Sequence, residues 1–183
     1  MSRSRSVNVS ANKPDLSDKR LCDLAKSKSA VRDARIISPA DVETASWVRL
    51  KCRFGCSGYG QCLVCPPFTP LPQEMRDVLD GYKRAILIHF KPDADVKAVV
   101  AELEREIFLK GFWKAFGLGC GPCYFCKSCT VEQGLCRYPE RARPAMEACG
   151  IDVFSTVKKF GLPIEVLSTH RKCPNYYGLI LID

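Results

Sequence analysis

Four cysteines at a strict three-residue interval, Cys120, Cys123, Cys126 and Cys129, followed by Cys136, constrain this chain more than any other feature. The stretch Gly119-Cys-Gly-Pro-Cys-Tyr-Phe-Cys-Lys-Ser-Cys129 aims several thiolates from one short loop at a common point. Structural zinc takes four ligands at one tetrahedral ion, usually as two separate C-x2-C knuckles. A run of C-x2-C-x2-C instead lays three sulfurs around a larger object, and with a more distant fourth cysteine it is how cubane iron–sulfur sites are ligated. Thiolate-only sites favour these two metals, and the spacing selects iron–sulfur. Spacing alone leaves open which four of the five cysteines ligate.

A second group precedes it: Cys52-Arg-Phe-Gly-Cys56-Ser-Gly-Tyr-Gly-Gln-Cys62-Leu-Val-Cys65-Pro-Pro67. Glycines at 55, 58 and 60 permit tight turns and close backbone approach, and the proline pair ends the loop stiffly. Four thiols this close together are hard to explain by packing, so Cys52, Cys56, Cys62 and Cys65 are expected to hold a second metal group. The cofactor expectation is two [4Fe–4S] clusters, with zinc as the alternative.

At 183 residues and 46% hydrophobic, the chain can bury one compact core. Its twelve cysteines fall at spacings too tight for a simple disulfide framework. No stretch reads as a signal h-region or as the roughly 18–20 apolar residues of a membrane span. The expected location is therefore cytoplasmic, where reduced cysteines serve as metal ligands more often than as bridges. The formal charge is +8; eight thiolate ligands and two cores of about +2 each would bring it to about +4. Much of the basicity then offsets clusters. Lys and Arg are scattered rather than striped with aromatics, which disfavours nucleic acid as a partner.

Residues 1–30, rich in Ser, Lys and Arg, read as a flexible basic arm, and residues 31–183 as the metal-binding domain. Within it, 34–38 and Trp47–Cys52 read as strands, the latter by alternation of Val48, Leu50 and Cys52. A helix is predicted over Pro70–Gly81 with Pro72 near its first turn, a buried strand from 83 to 90, and a helix over 93–110 with Val96, Val99, Val100, Leu103 and Ile107 on one face. Glu102, Glu104 and Glu106 fall on its solvated side. Short helices follow at 144–150 and 152–161, and β-prone runs at Ile164–Leu167 and Tyr176–Ile182. The expected fold class is α+β: one domain, a small mixed or antiparallel sheet, helices on one face, and two cysteine loops gathered at one end. His89 is expected to pack in the sheet, and Cys22 and Cys173 receive no ligand role. Arg137, Arg141 and Arg143 can neutralise the nearby cluster or receive an acidic partner.

The segments Lys51-Cys-Arg-Phe-Gly-Cys56, Cys65-Pro-Pro67, Gly121-Pro-Cys-Tyr-Phe-Cys-Lys-Ser-Cys129 and Cys136 to Val153 resemble an uncharacterised family of cysteine-rich predicted metal-binding proteins of anaerobic bacteria and archaea. The resemblance spans residues 35–183 and implies a metal, iron–sulfur by its cysteine content. Its pattern matches Cys52, Cys56 and Cys65, then Cys123, Cys126, Cys129 and Cys136, while Cys62 and Cys120 depart from it. Three functions follow from these readings. The first is an electron carrier or redox accessory to a partner protein. The others are an enzyme with an open iron at a three-cysteine cluster, and a zinc-stapled binding module.

Overall fold

Six consecutive residues from Ala85 to Phe90 are all buried, and a strand apolar on both faces must lie between packed layers. In the computed structural model, which describes residues 16–167 and 175–183, this strand is the second of four. Strands β1 (Val31–Ile37), β2 (Ala85–Phe90), β3 (Phe116–Leu118) and β4 (Tyr176–Leu181) form one antiparallel sheet in the order β1-β2-β4-β3. The central register sets Ile86 against Ile180 and Leu87 against Leu179. Alternate residues therefore feed two separate cores.

On one face Ile86, Ile88, Phe90 and Ile180 meet helices α1 (Asp18–Lys26) and α4 (Val96–Leu109) through Leu21, Val100, Leu103 and Ile107. On the other, Leu87, Leu179 and Leu181 meet helices α3 (Pro72–Asp80) and α5 (Val153–Lys159) through Met75, Leu79 and Val157. The α+β class and the single antiparallel sheet stand as expected. Helices do not line one face only, because β2 and β4 are apolar on both faces and each face needs cover, which α1 and α4 give to one and α3 and α5 to the other.

Three local readings change. The run from Trp47 to Cys52 is not a strand but part of helix α2 (Ser46–Gly55). Its alternation is five residues long, too short to separate the two periods, and Arg49 is captured by acceptors that only a helix presents to it (below). The Ile164–Leu167 run has no regular structure. Part of the stretch expected as an arm is ordered: Asp18–Lys26 is a helix capped by the Ser17 hydroxyl accepting from Arg20 N–H, with Leu21 and Ala25 fully buried. Residues 1–15 lie outside the described residues. Glu104 is also not solvated, since it takes a two-bond ion pair from Arg143 (2.5 and 2.6 Å) and accepts from Gly117 N–H (2.8 Å). Among the described residues no helix is long and apolar enough to cross a membrane.

Replacing Leu21 by Ala is expected to lower the unfolding free energy by about 2–5 kcal/mol, as for other buried leucines, measured by denaturant titration. A helix hanging free of the domain would leave the midpoint unchanged.

Candidate metal centre

Helix α2 sets the first cysteines. Cys52 and Cys56 are one turn apart, Cys56 serving as the residue that ends the helix, and side chains at i and i+4 share a face. The chain then doubles back through linked turns: Gly60 N–H bonds Pro66 O (2.8 Å), Gln61 N–H bonds Gly58 O (3.1 Å) and Cys65 N–H bonds Cys62 O (2.9 Å). Gly60 has φ +72°, a left-handed conformation that glycine adopts freely. This fold-back returns Cys65 to Cys52 and Cys56.

The second group leaves the end of β3. Gly119 donates to Pro144 O (2.8 Å) and accepts from Met146 N–H (2.9 Å), so the loop from Cys120 to Arg143 is closed at its base by a parallel bridge between Gly119 and Ala145. Inside it Arg137 Nη1 donates to Ser128 O (2.9 Å), and the guanidinium of Arg141 stacks 4.6 Å over Phe125. Three backbone N–H groups point at sulfur: Gly58 to Cys56 (3.4 Å), Leu63 to Cys129 (3.5 Å) and Tyr138 to Cys136 (3.4 Å). Such donors stabilise thiolates and tune the potential of a cluster they surround.

The two groups meet. One hollow of about 190 Å³ is lined by Cys52, Cys56 and Cys65 together with Tyr59, Gly121 and Glu147. An adjoining hollow of about 250 Å³ is lined by Cys62, Cys65, Cys123, Cys126, Cys129 and Cys136. All eight expected cysteines therefore line two adjoining hollows, and Cys62, whose thiol is hydrogen-bonded with that of Cys65, lies on the side of the second group. Cys120 lies in neither hollow and borders a larger, mainly apolar cleft of about 840 Å³, which also touches Cys52, Cys56 and Glu147. The eleven described cysteines are all free thiols. No three or more Cys, His, Asp or Glu side chains among the described residues close tightly enough to hold a single metal ion, whereas four sulfurs on one zinc would sit about 3.8 Å apart.

Charge follows the same geometry. Burial pushes Cys62 up to about 12, reinforced by the neighbouring Cys65, Cys123 and Cys129. Burial likewise raises Cys52 and Cys65, partly opposed by Arg49 at the former and by Lys97 at the latter. Metal must displace protons from these thiols as it binds. Lys97 is only 2% exposed, its Nζ donates to Arg143 O (3.1 Å), and no carboxylate among the described residues lies within ion-pair distance. A buried ammonium left unpaired is costly, and the groups whose electrostatics Lys97 reaches are Cys65 and Glu147. The donor set thus fits a sulfur-ligated cluster: Cys52, Cys56 and Cys65 on one side, Cys123, Cys126, Cys129 and Cys136 on the other, with Cys62 between.

The family model described as predicted metal-binding protein (DUF2284) matches residues 35–182. The chain belongs to this family. No curated protein and no solved structure matches it. Metal binding is thus the family's assigned property, and the cysteine-lined hollows lie wholly inside the matched region.

Of the remaining candidates, His89 packs in the sheet as expected, stacked on Tyr177 with ring centroids 4.8 Å apart and Nε2 2.9 Å from Asn175 Oδ1. Cys149 is a core residue, 1% exposed, its thiol pushed up to about 12 by burial. Cys22 sits on α1, and Cys173 and His170 lie outside the described residues. Sequence reasoning missed three groups. Lys97 and Glu147 carry no spacing signal in the sequence. Arg49 donates from Nη1 to Thr69 Oγ1 (2.9 Å), Pro70 O (3.3 Å) and Ala148 O (2.7 Å), tying α2 to the chain beyond the second loop. No spacing rule announces such a long-range capture.

Replacing Arg49 by Ala leaves acceptors in that joint unmatched. The expected cost is about 1–3 kcal/mol in denaturant unfolding, together with faster metal loss from Cys52 and Cys56 than from the second group.

Proposed function

We propose that this is a cytoplasmic iron–sulfur protein holding two [4Fe–4S] clusters and passing electrons to or from a partner protein. The observation that carries it is the convergence of eight thiols, from two distant stretches of chain, on two adjoining hollows. Cys123, Cys126, Cys129 and Cys136 would hold one cluster, and Cys52, Cys56 and Cys65 three corners of the other. Such clusters supply one-electron redox chemistry at potentials set by hydrogen bonds to sulfur and by exposure. This chain's part is to hold the thiolates, donate N–H groups to them and balance their charge with Lys97.

Adjacent hollows that share Cys65 favour short electron steps between the two groups. Exposed Arg137 and Arg141 beside the second hollow suit an acidic redox partner by charge complementarity. The zinc reading fares worse because it requires tetrahedral sulfurs at single-ion spacing.

A second reading, an enzyme with an open iron corner, is favoured by two facts: the hollow is lined by three cysteines, Cys52, Cys56 and Cys65, and the large apolar cleft borders Cys52 and Cys56. Pockets of that volume are the usual size for small-molecule ligands. In it Cys52, Cys56 and Cys65 hold the metal while the cleft excludes water from the fourth corner.

Strictly anaerobic purification followed by metal and sulfide analysis is expected to give roughly eight iron and eight sulfide per chain for two cubanes. Two zinc and no sulfide would overturn both readings. Replacing Cys129 by Ala should remove about half of the iron, since it withdraws one ligand of four from one of two clusters. Replacing Cys62 by Ala with iron content retained would favour the three-cysteine site, and loss of half would close it.

A further inference from the structure

The one buried side-chain oxygen or nitrogen that finds no hydrogen-bond partner among the described residues is Glu147 Oε2. Glu147 as a residue is half-buried, yet this oxygen is sealed from solvent. An unsatisfied buried oxygen costs free energy comparable to a lost hydrogen bond, and natural proteins keep such groups where an unrecorded ion or ligand satisfies them. Glu147 lines the hollow of Cys52, Cys56 and Cys65, and its charge reaches Cys52. That hollow holds three thiols where a cubane has four corners.

The position of Glu147 is fixed by its backbone. It starts the short 3-10 turn Glu147–Cys149, and the next carbonyl, Ala148 O, accepts from Arg49 Nη1 (2.7 Å) and from the Thr69 hydroxyl. The turn closes on Gly150 at φ +78°, where a Cβ would come within 2.5 Å of Pro72 Cγ. Two residues upstream, Ala145 is bridged to Gly119 at the base of the second loop. The backbone that carries the carboxylate is therefore locked to α2, the helix that bears Cys52.

We infer that Glu147 supplies the fourth, oxygen ligand to the cluster held by Cys52, Cys56 and Cys65. This rests on the iron–sulfur reading above. Carboxylate is a harder and weaker partner for iron in a sulfur cage than thiolate, so this corner is the exchangeable one. It is also the corner facing the apolar cleft, because Glu147, Cys52 and Cys56 line both spaces. A small ligand with an oxygen, nitrogen or sulfur donor and an apolar body would enter there by displacing the carboxylate. Cys62 lines the other hollow and not this one.

The test uses the full chain, purified anaerobically and loaded with iron and sulfide, in the forms Glu147→Gln, Glu147→Ala, Glu147→Cys and Cys62→Ala. The readouts are iron per chain, the rate of iron release to a ferrous chelator, and the paramagnetic three-iron signal after mild oxidation, with thermal unfolding to register integrity. Glu147→Gln keeps the size of the side chain and guards against a folding failure in Glu147→Ala. Expected are release of one iron at least about tenfold faster than wild type in both, by analogy with lost ligand support at other metal sites, and a three-iron signal. Glu147→Cys should restore retention, and Cys62→Ala should match wild type. Wild-type release rates in both Glu147→Gln and Glu147→Ala would overturn the inference, as would a three-iron signal that appears in Cys62→Ala instead. Wild-type protein that binds no iron and sulfide at all would overturn the iron–sulfur reading itself, and the inference with it.

Discussion

The joint between Arg49 and the carbonyl of Ala148 is the contact on which the arrangement of this molecule depends. One guanidinium nitrogen gathers three acceptors from residues 69, 70 and 148, and so binds α2, the end of the first cysteine loop and the chain beyond the second. Parallel support comes from backbone bonds between Ala45 and Gly150 (2.9 Å), Asp152 and Glu43 (2.8 Å), and Gly119 and Met146 (2.9 Å). Met146, Cys149 and Ile151 then sink into the core beneath the sheet. The segment 144–152 is thus a strap with one side in the hydrophobic core and the other against both cysteine loops.

That strap explains how a centre built almost wholly from irregular chain is held in place. The loops 57–71 and 119–144 have little apolar burial of their own; their cysteines are mostly half-exposed. They are pinned at their ends rather than packed through their middles. Regions of this kind sit at the low end of local stability, and metal bound to thiolates contributes folding free energy directly. The sheet, with its two separate cores, carries the global stability while the centre at its edge borrows rigidity from the strap and from whatever it ligates.

Charge is arranged with the same division. Arg143, which lies in the sequence among arginines near the second loop, is committed to Glu104 and to the carbonyls of Pro139 and Ala142. It serves the scaffold. Lys97, nearly invisible from outside, has one backbone partner and lies against the thiols and Glu147. A buried cation of this sort stabilises negative charge nearby, and its neighbours are the candidate ligands.

The cysteine intervals by themselves pointed to metal binding, the property the family model carries, because spacing within a loop is local. Helix α4, strands β2 and β4 and the α+β class were legible for the same reason: 3.6- and 2-residue periods are written in neighbouring positions. The fold decided what depends on contacts distant in sequence. Trp47–Cys52 is helical because α2 must present Arg49 to residues 69, 70 and 148, and Leu21 draws the supposed arm onto the sheet by burying its side chain. Above all, only the folded chain puts Cys62 along the hollow of the second group and Glu147 along that of Cys52, Cys56 and Cys65. Partition of ligands between two hollows is a matter of position in space, and a linear spacing holds no record of it.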